Sequence, residues 1–207
     1  MQKLAKGIHS FRSGYFATHR QLFEQLATAG QKPETLFITC SGSRVVPNLI
    51  TSAAPGELFL VRNVGNVVPH PSLPGGTAAA MEYAVEVLEV ENVIVCGHTQ
   101  CGAIQAILHP ETVEHLPYVK RWVDGGGELS RLMSERYAQL EGDALATVAV
   151  QENVLLQVEN LRRFEFVEKK LAAGKLHISA WVFKIATGQV FDFDPESGEF
   201  VELSPDE

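Results

Sequence analysis

Apolar residues recur at three- and four-residue steps from the start of the chain: Leu4, Ile8, Phe11, Tyr15, Phe16, Leu22, Phe23 and Leu26, with His19 on the same stripe. That period predicts helix over 3–29, with Gly7 and Gly14 as the candidate breaks. So apolar a segment ahead of the first strand reads as an arm packed either on its own domain or on a second subunit. The pattern then shortens. Residues 34–40 and 57–62 ("ELFLVR") read as strands, joined by "SGSRVVPNLITSAAPG", a crossover with some helix. After the Pro/Gly-rich "VVPHPSLPGG", the stretch "TAAAMEYAVEVLEV" returns to helical spacing, with Thr77 near its start. "NVIVCG" (92–97) is uniformly apolar, as expected of a parallel strand covered on both faces. "HTQCGAIQAIL" turns off its end into another helix. Residues 115–172 read as mostly helical, with breaks near Gly125 to Gly127 and at Gly142. A fourth strand spans 176–185, and "ATGQ" turns into "VFDFD", an antiparallel partner at the sheet edge. The order predicts one α/β domain over 1–207: a mainly parallel β-sheet with helices on both faces, an antiparallel edge strand, an N-terminal helical arm (1–30) and a loose acidic tail (195–207).

The bulk numbers agree with one domain. The chain has 207 residues, 45% hydrophobic and 20% charged, the balance of a soluble globular protein. A net charge of -8 with no Lys/Arg cluster argues against a nucleic-acid partner. No run approaches the roughly 18 apolar residues of a membrane span, and the N-terminus lacks the continuous apolar core of a signal peptide. Three cysteines do not make a disulfide framework, which points to a reducing cytoplasm.

Reactive groups in open parallel sheets collect beyond the carboxyl ends of the strands. Two strands here end in soft-metal ligands: the first at Cys40, the third just before His98 and Cys101. Singly, each has an ordinary explanation. A lone strand-end cysteine is more often a small buried hydrophobe, as Cys96 inside the third strand is read to be. Together they form a Cys₂His set, and three protein ligands with an open fourth position are the pattern of a catalytic zinc site. The helix start near Cys101 would help to ionise its thiol. There is no C-x-x-C, which disfavours a redox pair. The other six histidines are scattered, with no second ligand at metal spacing.

"CSGSRV", followed 58 residues after its cysteine by "HTQCGA", resembles the β-class carbonic anhydrases. "PGELFLVRNVGN", "AAMEYAVEVLEVENVIVCGH" and "WVFKIATGQVFDFDPE" extend the likeness over roughly 30–190. The resemblance implies one Zn²⁺ per chain on Cys40, His98 and Cys101, reversible hydration of CO₂ to bicarbonate and a proton, and a homodimer or higher homo-oligomer with active sites at the subunit interface. The N-terminal arm would then wrap the partner. The plant-like subtype lines its CO₂ pocket with residues matched here by Gln31, Phe59, Val64 and Tyr83, and Gly102 could add its backbone N–H. The other subtype has an allosteric bicarbonate pocket built on a tryptophan, an arginine and a tyrosine. Those places hold Phe37, Arg62 and Phe183, so no such regulation is expected. The likeness leans towards bacterial and cyanobacterial members, some of which reside in carboxysomes. The short acidic tail gives carboxysomal targeting no support beside the cytoplasmic expectation.

The family motif is C-x-D-x-R, and this chain reads Cys40-Ser41-Gly42-Ser43-Arg44. In the family the aspartate pairs with the arginine and orients the nucleophile. In closed members it also takes the fourth position on the metal. Gly42 can do neither. The resemblance therefore implies a centre that cannot close in that way, an Arg44 without its carboxylate, a preference for anions, and turnover lowered by about 10²-fold or more. Two alternatives stand beside the hydratase: hydrolysis of CO₂-like molecules such as COS or CS₂, and a zinc- or anion-binding variant with little catalysis.

Overall fold

A computed structural model of the chain describes residues 1–204. The arm is three helices, α1 (Gln2–Ser13), α2 (Tyr15–Thr18) and α3 (Arg20–Ala29). It breaks at Gly14 and again at His19, while α1 runs straight through Gly7, so the expected break there is absent. β1 (Thr35–Cys40), α4 (Pro47–Ile50) and β2 (Leu58–Asn63) follow, then α5 (Gly76–Glu82), which widens into a π-turn over Tyr83–Val87. β3 (Asn92–His98) runs one residue further than its pattern suggests and includes His98. Then come α6 (Gly102–Leu108), α7 (Pro117–Asp124), α8 (Gly127–Arg136), α9 (Gly142–Arg162), α10 (Glu165–Ala172), β4 (His177–Phe183), β5 (Val190–Asp194) and β6 (Glu199–Glu202).

The sheet order is β2-β1-β3-β4-β5-β6, parallel through β4 and antiparallel beyond it. β5 is therefore not the edge, and the predicted tail is not wholly loose. The Asp194 carboxylate accepts from the Glu196 and Ser197 N–H groups at 2.9 and 3.1 Å, and Gly198 turns with φ +72°. This closes a tight hairpin that pairs Asp194 with Glu199 and packs Phe193 on Phe200, ring centroids 5.4 Å apart. The last three residues of the predicted tail, 205–207, lie outside the described residues.

Alternation along β1 sorts its side chains. Leu36, Ile38 and Cys40 join the large core, and Phe37 joins a smaller cluster with Val45, Cys96 and Phe183. α9 lies directly on β3 in the large core. A Cβ on Gly97 would meet Val154 Cγ2 at 2.6 Å and Val150 Cγ1 at 3.1 Å, so only a bare backbone allows that approach. The opposite face is covered more thinly, by the 45–50 segment and the residues around Ile185. The arm contributes no buried residue: Leu4, Ile8, Phe11 and Tyr15 are all exposed. It holds itself together through its own rings, with Phe11, Phe16 and Phe23 mutually packed.

Replacing Gly97 by alanine should lower unfolding free energy by about 1–3 kcal/mol, the usual cost of overpacking a tight contact. A urea titration that finds the variant as stable as the parent would contradict the packing described.

Candidate metal centre

β1 and β3 are parallel neighbours in a register that sets Thr39 opposite Cys96. Their carboxyl ends therefore lie together, with Cys40 on one and His98 on the other. The chain leaves β3 through Thr99 and Gln100, the latter in the left-handed region at φ +58°, and Cys101 caps the start of α6. The ligand atoms of Cys40, His98 and Cys101 all lie within 4.8 Å of one another, and all three residues are buried. Among the described residues this is the one such group of metal-ligating side chains.

The histidine is prepared for a metal. Its Nδ1 lies 2.8 Å from the Thr99 carbonyl, which can only accept, so Nδ1 carries the proton. Nε2 is then left with a bare lone pair. It is buried without a hydrogen-bond partner, facing the two sulfurs. A neutral histidine with no ligand to serve would leave that atom at a desolvation cost, and a metal ion satisfies it. The sulfurs are 3.9 Å apart. Sharing one proton, they move in opposite directions. Cys101, donating to Cys40, holds the Cys40 thiol well below its ordinary value, aided by the Gly65 and Gly42 N–H groups against the effect of burial. Cys101 is raised, first by Cys40 and then by burial. A soft divalent cation would take the place of the shared proton. Cys96, by contrast, is pushed up to about 12 by burial alone, an inert core thiol as its place in the strand suggests.

Gly42 sits over this group. A Cβ there would lie 3.4 Å from His98 Nε2 and 3.7 Å from Cys40 Sγ, ordinary contact distances. Its φ is not in the left-handed region, so neither space nor backbone requires a glycine. Arg44 is exposed, and its guanidinium donates to the Gln100 carbonyl at 3.0 Å. Among the described residues it has no ion pair. Arg62, read from sequence only as part of a pocket that the chain lacks, has a different position. It donates through Nε to the Cys40 carbonyl at 3.2 Å and through one terminal nitrogen to the Gly42 and Val45 carbonyls at 2.9 Å each. It thus ties down the loop that carries the first ligand. The only sequence signal for this was an arginine paired across the sheet from a strand end.

The remaining pocket residues divide. Val64 and Gly102 follow β2 and open α6 at the metal end, and Trp122 Nε1 donates to the Val64 carbonyl at 2.7 Å. Phe59 pairs with Leu36, four residues or about 13 Å from the level of Cys40. Tyr83 is beside Phe59, ring centroids 6.0 Å apart. Gln31 lies four residues before β1, a strand that by itself spans about 16 Å to its metal end. One chain does not bring Gln31, Phe59 and Tyr83 to its own metal centre.

A buried Cys₂His group at the carboxyl ends of a mainly parallel sheet could hold a metal ion, in the manner of an enzyme that keeps its reactive centre beyond the strand ends. The carbonic anhydrase family model matches residues 35–190, so the chain belongs to the carbonic anhydrase family. Its relatives place it in the β class. It is 44% identical over 203 residues to the carbonic anhydrase of Synechocystis, covering 97% of this chain and 74% of that one. It is 40% identical over 205 residues to that of Pseudomonas aeruginosa, covering 99% and 92%. The solved structure of the β-carbonic anhydrase CcaA superposes with a TM-score of 0.95 at 44% identity, covering 99% of this chain and 92% of that one. No described helix is long and apolar enough to cross a membrane.

In the metal-free protein at neutral pH, alkylation should modify Cys40 first and Cys96 only after unfolding, because one is held as thiolate and the other as a buried thiol. Mass spectrometry of the peptides reads the order. Early labelling of Cys96 would contradict it.

Proposed function

We propose that the chain catalyses the reversible hydration of CO₂ with one zinc ion per chain, held by Cys40 Sγ, His98 Nε2 and Cys101 Sγ. The observation that carries this reading is the buried, unpartnered lone pair of His98 Nε2 beside two sulfurs. Zinc in such a site supplies Lewis acidity, making water acidic enough to act as a nucleophile near neutral pH. The protein's own contribution is positional. Thr99 holds the His98 tautomer, Arg62 anchors the Cys40 carbonyl, and the Gly42 and Gly65 N–H groups donate to Cys40 Sγ at 3.4 and 3.5 Å. These donors favour the thiolate. Arg44 adds a positive charge with no carboxylate beside it, which favours bicarbonate and other small anions near the centre.

Turnover is lowered because position 42 carries no side chain to hydrogen-bond and orient the nucleophile. The space and backbone there accept one. Gly42→Asp should raise the rate of CO₂ hydration by about 10²-fold, the scale of one orienting or acid–base group. Stopped-flow assays of the two proteins decide it, and equal rates would refute the role. A chelator should abolish activity in both. The same glycine favours a second reading, a zinc- or anion-binding member with little catalysis. One zinc per chain with no hydration before or after the substitution would support that reading instead.

CO₂ is apolar and needs a lining more than a strong binding group. Phe59, Val64 and Tyr83 supply it, with Gln31 donating to an oxygen and Gly102 offering its N–H. Since Gln31, Phe59 and Tyr83 lie away from their own chain's centre, they serve the site of a second copy. The arm, whose apolar residues Leu4, Ile8, Phe11 and Tyr15 are exposed, wraps that copy. No bicarbonate effector pocket is inferred: Phe37 and Phe183 are core residues, and the Arg62 guanidinium holds backbone carbonyls. Light scattering should give a mass of at least two chains, and loss of residues 1–29 should lower it. A monomeric full-length protein with full activity would overturn the shared site.

A further inference from the structure

Helix α9 carries amides where a core helix normally carries aliphatics. Asn153 and Gln157 are 2% and 7% exposed, one turn apart on the same face, with Asn160 next in line. All three reach the same short stretch, residues 65–68, which leaves β2 and passes the metal centre. Asn153 Nδ2 donates to the Gly65 carbonyl at 3.2 Å, and Gln157 Nε2 donates to Asn153 Oδ1 at 3.1 Å. Val68 N donates to Gln157 Oε1 at 2.8 Å, and Asn160 Nδ2 donates to the Val68 carbonyl at 3.3 Å. From the other side Asn63 closes the same stretch, donating to the Val67 carbonyl at 2.8 Å and accepting from its N–H at 2.7 Å. The stretch begins at Gly65, whose N–H donates to Cys40 Sγ at 3.5 Å. Gly65 has φ +87°, and a Cβ there would lie 2.9 Å from that of Ala103, so this residue too is fixed by conformation and by space.

Buried amides are costly unless fully hydrogen-bonded, and leucines of similar volume would fill the same space without that demand. What amides add is direction. We propose that Asn153 and Gln157 are positioning residues for the metal centre: a ladder from α9 that holds the Gly65 N–H on Cys40 Sγ. The inference rests on the zinc reading above. The N–H draws electron density from the thiolate and fixes the direction of its lone pairs, so the ladder tunes both how firmly Cys40 holds the metal and how much charge it donates. The Gly97 contact lets α9 come close enough to β3 for the amides to reach.

Asn153→Leu and Gln157→Met remove the hydrogen bonds at similar volume. Each should weaken zinc binding by about 10-fold or more, the range typical of groups that support a metal ligand. Affinity is read by competition with a chromophoric chelator. In the cobalt-substituted protein each should also shift the thiolate-to-metal charge-transfer band, while the far-ultraviolet circular dichroism stays that of the parent. Tyr137→Phe, which removes a hydrogen bond from Tyr137 to Glu152 on the same helix but away from the loop, should leave band and affinity unchanged. If the Leu variant does not fold, Asn153→Ser and Gln157→Glu keep a polar group in place and carry the same comparison. Variants that melt earlier but bind zinc as tightly, with an unmoved band, would overturn the proposal and leave the ladder a purely structural feature. A parent chain that takes up no metal would instead sink the zinc reading, and this inference with it.

Discussion

The pairing of β1 with β3 is the constraint on which the centre depends. The two strands are separated by more than fifty residues of chain, yet lie side by side and parallel, so their carboxyl ends coincide. Slipping β1 by one residue would exchange its two buried faces, moving Leu36 and Ile38 to the side of the smaller cluster and Cys40 with them. Slipping it by two would keep the faces but carry Cys40 about 7 Å from His98. The buried alternation of Leu36 and Ile38 against Val93 and Val95 selects the register, and the register places the ligands. Hydrophobic packing and ligand placement are thus set by neighbouring residues of the same two strands.

That dependence explains what was legible in the sequence. A chain whose apolar runs end in Cys40 and His98 announces both the sheet and the place where reactive groups collect, and the Cys101 spacing completes the set. The supports were not legible. The 115–172 stretch reads only as helix, and nothing in the sequence marks Asn153 and Gln157 as buried until the 65–68 loop is seen against them. Arg62 reads only as one place of an effector pocket that the chain otherwise lacks, and nothing in its spacing says that three carbonyls converge on it. β6 was hidden differently. "DPESGEFVE" contains the turn residues and a short alternating strand, but its acidity resembles that of a tail.

The chain also separates two kinds of residue. Polar and metal-ligating groups gather at the carboxyl ends of the strands, while Phe59, Tyr83 and Gln31 sit towards the amino ends, near an arm that leaves its apolar stripe uncovered. Each end is unremarkable alone. The metal end has its ligands without an apolar chamber, and the other end has apolar rings without a reactive group. On the reading proposed above, a second copy of the chain completes both.

Position 42 carries one more consequence. Any side chain placed there starts 3.4 Å from His98 Nε2, within reach of whatever the three ligands hold. On the zinc reading proposed above, the identity of this one residue would govern whether the fourth position is open or filled by protein. A fourth thiolate at that point would give a Cys₃His set, the donor composition of zinc sites that stabilise folds and perform no chemistry. On that reading the boundary between an enzyme and a structural metalloprotein is as narrow as one codon, and glycine at position 42 puts the chain on the open side of it.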